Sequence, residues 1–420
     1  MLPLLIPLGL TALLAFYLAW NLGANDVANS MGTAVGAKAL TLRQALLVAG
    51  VLEFAGAVLF GQGVSTTLAT QVANSSQFAD NPQVLLLGMV SVLLAGGLWL
   101  QIATLQGLPV ASSHSVVGAI TGFSCVAAGI SAVEWTTIGR ICLAWIVTPL
   151  ISGAVAALFY SLVKRGILEQ SDPLRQLREW IPWLSAILLG IFGAIVLPTL
   201  FELPLFDSLA IPNRDLSLGA GAIAAISLAL VSWSQLEGSQ DRKEGAQEPS
   251  QLVERQLGRF QVLSACFVAF AHGSNDVGNA IAPLAAITYL LRTGSIPLAQ
   301  FSIPTWILVI GGLGIVAGLA VQGKNVIATV GEQIISLQPS SGFCAELATA
   351  STILFASRLG LPVSTSHALV GGVVGIGLLQ NWQKVRFQTV RSVALAWVIT
   401  VPAAAILGAI IFTILRWLWM

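Results

Sequence analysis

Apolar residues occupy this chain in long runs, and polar residues interrupt them at few places. The runs fall at roughly 3–22, 41–62, 83–106, 110–130, 138–163, 181–200, 215–235, 256–273, 301–321, 342–358, 363–380 and 391–418. Each is about as long as the roughly 20 residues that a helix needs to cross a bilayer. Pro and Gly mark many of the ends, as they do where helices stop and turn. The pattern predicts an all-α polytopic membrane protein of about 12 transmembrane segments. The first run, Leu2 to Trp20, has no basic leader and passes directly into polar sequence, which predicts a retained helix and not a cleaved signal. The longest polar stretch, Leu236 to Arg259, includes Asp241, Arg242, Lys243, Glu244 and Glu248 and predicts a solvated loop.

The polar interruptions come in pairs. Gly23-Ala24-Asn25-Asp26-Val27-Ala28-Asn29 returns as Gly273-Ser274-Asn275-Asp276-Val277-Gly278-Asn279, at an offset of 250 residues. Leu108-Pro109-Val110-Ala111-Ser112-Ser113-His114 returns as Leu361-Pro362-Val363-Ser364-Thr365-Ser366-His367, at 253, and Leu143-Ala144-Trp145 returns as Leu395-Ala396-Trp397, at 252. The order and offset define repeat one over 1–165, two inserted helices and a cytoplasmic loop over 166–255, and repeat two over 256–420. Positive charge supplies the relative orientation. Lys164, Arg165, Arg175 and Arg178 follow the first Leu-Ala-Trp helix and only Arg140 precedes it; Lys384, Arg386 and Arg391 precede the second and only Arg416 lies near its end. Basic residues collect on the cytoplasmic side, so the equivalent helices run in opposite directions and the repeats are inverted. Both ends of the chain then face outside, Lys38 and Arg43 face inside, and the Lys/Arg-free loop 63–82 faces outside, whereas Arg292 and Arg358 fall against the scheme.

Composition agrees: of 420 residues, 56% are hydrophobic and 9% charged, against about 25% charged in soluble domains. No basic run exists that tracks a phosphate backbone, so nucleic acid is excluded as a partner. Cys125, Cys142, Cys266 and Cys344 sit in apolar sequence without a CxxC pair and read as small buried hydrophobes.

The repeated motifs carry the candidate chemistry. An Asp within membrane sequence costs about 2.5–3.5 kcal/mol and needs a partner or a wet cavity. Gly, Ser and Asn around Asp26 and Asp276 predict broken helices there, with free backbone groups lining a site. Carboxylate, carboxamide and carbonyl oxygens suit a hard cation, which makes Asn25, Asp26, Asn29, Asn275, Asp276 and Asn279 candidate cation ligands; helix capping is the alternative. Ser112-Ser113 and Ser364-Thr365-Ser366 each follow Pro and open an apolar helix, so their hydroxyls and free amides suit an oxyanion, again with capping as the alternative. His114 and His367 fit either packing or substrate contact. His272, opposite Leu22 of the first repeat, reads as structural, and Gly311, Gly312, Gly314 and Gly318 read as a close-packing face. Glu53 and Glu346 are single carboxylates in apolar helices with no acidic mate at the repeat offset, which favours a coupling role.

At these motifs the chain resembles the inorganic phosphate transporter (PiT) family: residues 23–36, His272 to Val277, both Pro-Val-x-[Ser/Thr]-Ser-His segments and Pro339 to Leu347 match its signatures. The resemblance implies phosphate symport with sodium or protons, inverted repeats with helical hairpins, a homodimer, no cofactor, and a site in the plasma (inner) membrane. It implies that Asp26 and Asp276 are essential, that Ser112, Ser113, Thr365 and Ser366 line the phosphate, and that Glu53 and Glu346 are the family's acidic positions. The opening Asn-Leu-Gly-Ala-Asn-Asp looks like the sodium-coupled branch. Ala111 replaces the Ser of many members, and Met89 stands where animal members have Glu. Two Asp without Lys or Arg beside an anion independently favour cation coupling, because bound cations remove the repulsion. A sulfate permease of the same fold remains open. A divalent-metal carrier leaves the hydroxyl-rich helix starts unexplained. A hydrolase lacks a nucleophile–base pair, since adjacent Ser and His on a helix do not face each other.

Overall fold

A computed structural model describes residues 2–106, 110–202, 212–241, 248–297, 301–330 and 337–419. Among the described residues the chain is helical: α1 (Leu2–Gly36), α2 (Leu42–Phe60), α3 (Gln62–Thr70), α4 (Pro82–Leu105), α5 (Ser112–Ala128), α6 (Trp135–Val163), α7 (Pro173–Phe201), α8 (Asn213–Asp241), α9 (Pro249–Thr293), α10 (Thr305–Val330), α11 (Pro339–Arg358), α12 (Thr365–Asn381) and α13 (Phe387–Trp419). Eight helices (α1, α2, α4, α6, α7, α8, α10 and α13) are long and apolar enough to cross a bilayer. The other four expected segments, 110–130, 256–273, 342–358 and 363–380, are those that carry polar motifs. The outer surface is apolar. Leu47, Val51, Ile146 and Val398 are 63–73% exposed, while Asp26, Asp276, Glu53 and Glu346 are buried. That distribution belongs to a chain whose solvent is lipid, and the protein is an integral, multi-pass membrane protein.

Helices of the two halves pack in exchanged pairs. α1 lies on α10 and α9 on α2; α5 lies on α13 and α12 on α6. Glycines set the last two contacts. A Cβ on Gly118 or Gly122 would strike the main chain at Val401 or Ala405, and one on Gly371 or Gly375 the main chain at Pro149 or Gly153. Both glycine pairs keep the 253-residue offset. Close backbone approach is how helices associate where lipid offers no hydrophobic drive. Gly122→Val and Gly375→Val are therefore expected to cost about 1–3 kcal/mol or more through overpacking. Lower melting temperatures for both variants in detergent, with Gly219→Val as a control, would register this; Gly219 has open space around it. Unchanged melting would mean that the helices part without cost.

Three expectations change. The Asn-Asp motifs do not break their helices: α1 and α9 run without interruption through Gly23–Asn29 and Gly273–Asn279. The motifs are buried, so a broken backbone there would strand amides and carbonyls away from water. The breaks instead fall at the hydroxyl-rich segments, between α4 and α5 and between α11 and α12; Leu108 and Pro109 lie outside the described residues. The polar stretch 236–259 is largely helical, since α8 continues to Asp241 and α9 begins at Pro249; Arg242, Lys243 and Glu244 lie outside the described residues. The loop 63–82 contains α3, closed by Thr70. The two basic residues that fell against the charge scheme have local partners. Arg358 Nη1 donates to the Ile195 carbonyl near the end of α7 at 2.8 Å, and Arg292 sits in the last turn of α9, where a cation meets the negative end of the helix dipole.

Candidate functional site

α9 is the meeting point of the polar side chains. Asn279 Nδ2 donates to Asp276 Oδ1 one turn earlier at 3.4 Å and to Ser112 Oγ at the start of α5 at 3.3 Å. Thr365 Oγ1, at the start of α12, donates to Asp276 Oδ2 at 2.9 Å. The two hydroxyl-rich helix starts thus reach the same turn of α9 from opposite halves of the chain. α1 completes the group. Asn29 Nδ2 donates to Asp26 Oδ1 at 3.0 Å, and ligand atoms of Asp26, His272 and Asp276 lie within 4.8 Å of one another. Two buried carboxylates at this range repel strongly in a low dielectric, so the arrangement calls for a positive charge between them.

His272 lies between these two carboxylates and Glu53. Its Nε2 lies 3.0 Å from Asp276 Oδ2 and its Nδ1 lies 3.2 Å from Glu53 Oε1, with all three side chains fully buried. Ser30 Oγ donates to the same Glu53 oxygen at 2.9 Å. Both ring nitrogens lie within ion-pair distance of carboxylate oxygens, though neither meets hydrogen-bond geometry there. His272 is therefore a chemical partner of the motif, contrary to its structural reading from sequence. Its i,i+4 spacing to Asp276 was the available signal. The acceptors Asp26 Oδ2 and Asn279 Oδ1 and the hydroxyl Ser113 Oγ are buried without a hydrogen-bond partner. Oxygens of Asp26, Asp276 and Asn279 form a hard donor set that suits Na⁺, and the hydroxyls beside them suit an oxyanion.

Some expected residues serve other purposes. Asn275 uses both ends of its amide to fasten the α11–α12 connection: Nδ2 donates to Ser357 Oγ at 2.9 Å and to the Leu361 carbonyl at 3.2 Å, and Oδ1 accepts from Val363 N at 3.2 Å. Asn25 does the equivalent on α4, donating to Thr104 Oγ1 at 3.0 Å. Thr104 and Ser357 stand at the repeat offset of 253. That correspondence was legible but unused, because neither residue belongs to a repeated block. These contacts make the motif's first Asn a clamp, and in Asn275 they occupy the carbonyl oxygen that a cation would need. Ser364 caps α12, accepting from His367 N at 3.3 Å, and shares a hydrogen bond of 2.8 Å with Ser366, so its role is the capping alternative.

Glu346 lies apart from Asp26 and Asp276. It accepts from Thr33 Oγ1, from Ser264 Oγ at 2.7 Å and from Gln261 Nε2 at 3.4 Å. Thr33 is two turns beyond Asp26 on α1, roughly 10 Å along the helix. Glu346 thus centres a second polar cluster with Thr33, Gln261 and Ser264, none of which lies in a repeated block. His114 and His367 pack against Trp145 and Trp397.

Comparison with known proteins bears on the family and the fold. The sequence profile described as "Phosphate transporter family" matches residues 22–408. The chloroplastic inorganic phosphate transporter 2-1 of Arabidopsis thaliana is 39% identical over 429 residues, covering 96% of this chain and 71% of the relative. A protein of Thermococcus kodakarensis, provisionally assigned as a phosphate permease, is 39% identical over 407 residues, covering 97% of each chain. A solved structure described as the sodium-dependent phosphate transporter superposes with a TM-score of 0.86 at 34% identity, covering 98% of this chain and 99% of that one.

Proposed function

The chain belongs to the phosphate transporter family, and from that premise we propose that it imports inorganic phosphate by symport with sodium across the plasma (inner) membrane. It is a transporter and not an enzyme. The observation that carries the site is the convergence of Ser112 and Thr365 on the Asp276–Asn279 turn beside Asp26. In this reading the hydroxyls and amides at the starts of α5 and α12 surround the phosphate. Asp26, Asp276, Asn29 and Asn279 hold sodium next to it. Each ion then raises the affinity for the other, since sodium cancels repulsion between phosphate and the two carboxylates. His272 and Glu53 hold Asp276 in register, and Glu346 serves as a separate waypoint for the cation. No cofactor is required, and the assembly is a homodimer, as in the family resemblance.

Uptake into proteoliposomes tests the coupling. An inward sodium gradient is expected to concentrate labelled phosphate, and an equal potassium gradient is not. Accumulation that follows a pH gradient without sodium would replace sodium by protons. The topology has its own test. In the inverted-repeat reading, a cysteine at Ser250 is labelled by an impermeant reagent only from the cytoplasm, and one at Asp80 only from outside; both positions are exposed. Labelling of both from the same side would reject inverted repeats.

A further inference from the structure

Two histidines and two tryptophans meet where the α5/α13 and α12/α6 pairs join. His114 stacks on Trp145 with ring centroids 3.6 Å apart, His367 lies against Trp397 at 3.5 Å, and the imidazoles are 4.7 Å from each other. The histidines stand 253 residues apart and the tryptophans 252, so the same stack is built twice by the repeat. Its hydrogen bonds are made once. Trp145 Nε1 donates to the Pro362 carbonyl at 3.0 Å, and His367 Nδ1 lies 3.1 Å from the Trp145 carbonyl. The mirror atoms, Trp397 Nε1 and His114 Nδ1, are buried without a hydrogen-bond partner. Pro362 has its counterpart in Pro109, outside the described residues.

Buried donors and acceptors without partners are costly and uncommon. His367 Nε2 is also buried without a partner, but the indole Nε1 and imidazole Nδ1 are bonded in one copy of the duplicated cluster and unpartnered in the other. Pro362 lies in the α11–α12 connection, three residues before Thr365, whose hydroxyl reaches Asp276. The Trp145 indole therefore fastens one wall of the site. In a carrier built from inverted repeats, the opposite-facing conformer is reached when the two halves exchange conformations. That exchange satisfies the mirror pair and releases the present one.

We propose that Trp145 with His367, and Trp397 with His114, are alternate latches, the first closed in the conformer described here and the second closed in the opposite-facing one. The proposal rests on the reading of the chain as an inverted-repeat symporter. Each latch is a positioning device: neither touches substrate, and each holds a helix start that does.

The two tryptophans give opposed variants. Phe keeps the stacking and removes only the N–H. Spin labels on Arg43 and Gln383, both exposed, report distances between α2 and the end of α12 in full-length protein with its four native cysteines replaced. Trp145→Phe is expected to raise the share of the second distance about two- to tenfold relative to the first, the effect of one net hydrogen bond. Trp397→Phe is expected to lower that share by a similar factor, and the double variant to return to the wild-type distribution. A merely structural role shifts both single variants the same way and makes the double variant worse; that outcome, or no second distance in Trp145→Phe, overturns the proposal. Sodium-driven phosphate uptake by the wild type in the same vesicles separates the two failures. Uptake without opposed shifts rejects the latches alone, and opposed shifts without uptake reject the symport reading while keeping the latches.

Discussion

Asp26→Asn and Asp276→Asn are each expected to abolish concentrative phosphate uptake, with losses beyond a hundredfold. The two carboxylates share one buried cluster with His272, and neutralising either one removes half of the negative charge available to hold a cation there. The variants differ in their secondary effects. Asp26 accepts from Asn29, and an Asn in its place keeps a carbonyl acceptor for that bond. Asp276 also receives Thr365 and Asn279 and faces His272. Asp276→Asn therefore loosens the start of α12 as well and lowers thermal stability, while Asp26→Asn leaves it close to wild type. Binding raises stability by mass action, so sodium is expected to raise the melting temperature of the wild type and of neither variant. Circular dichroism with sodium titration checks both points. Wild-type uptake in either variant would return that Asp to the status of a helix residue with no ion to hold.

Much of this fold was legible because the bilayer makes hydropathy a direct reading of crossing helices. The duplicated blocks point to the candidate site for a related reason: polar residues persist in membrane sequence only where something meets them. Less was legible in how the backbone treats those blocks. Local propensity favoured a break at Asn25-Asp26 and Asn275-Asp276, yet the helices continue, because Asn29 and Asn279 turn their amides back one turn onto the Asp side chains. Residues that meet the motifs from elsewhere in sequence were the least visible. His272 bridges Glu53 and Asp276, a contact between α2 and α9 that no local pattern encodes. Thr33 meets Glu346 across more than three hundred residues, and only the packing of α1 against α11 brings them together.

Selectivity between phosphate and sulfate follows from the unpaired atoms of the site. No Lys or Arg belongs to the motifs, so charge attraction alone does not choose between two tetrahedral anions. The buried groups without partners include two acceptors, Asp26 Oδ2 and Asn279 Oδ1, and the hydroxyl of Ser113. Phosphate at neutral pH carries at least one O–H and satisfies an acceptor as well as a donor. Sulfate carries none and leaves the acceptors facing oxygen lone pairs. A site built to hydrogen-bond a substrate hydrogen rejects an analogue lacking it by about 10⁴–10⁵ when the group is fully buried. A hundredfold excess of sulfate is therefore expected to leave labelled phosphate uptake unchanged, whereas arsenate, with the same shape and protonation, competes at comparable concentration. Ser113→Ala removes a hydroxyl that has no protein partner, so its cost falls on the anion: phosphate affinity is expected to drop about tenfold or more, the range for one hydrogen bond to a charged group. If Ser113 lines the anion as the proposed function has it, the dependence on cation identity stays as in the wild type. Equal competition by sulfate would show that the carboxylate and carboxamide oxygens do not read the proton on the substrate, and would move the chain toward a sulfate permease within the same architecture.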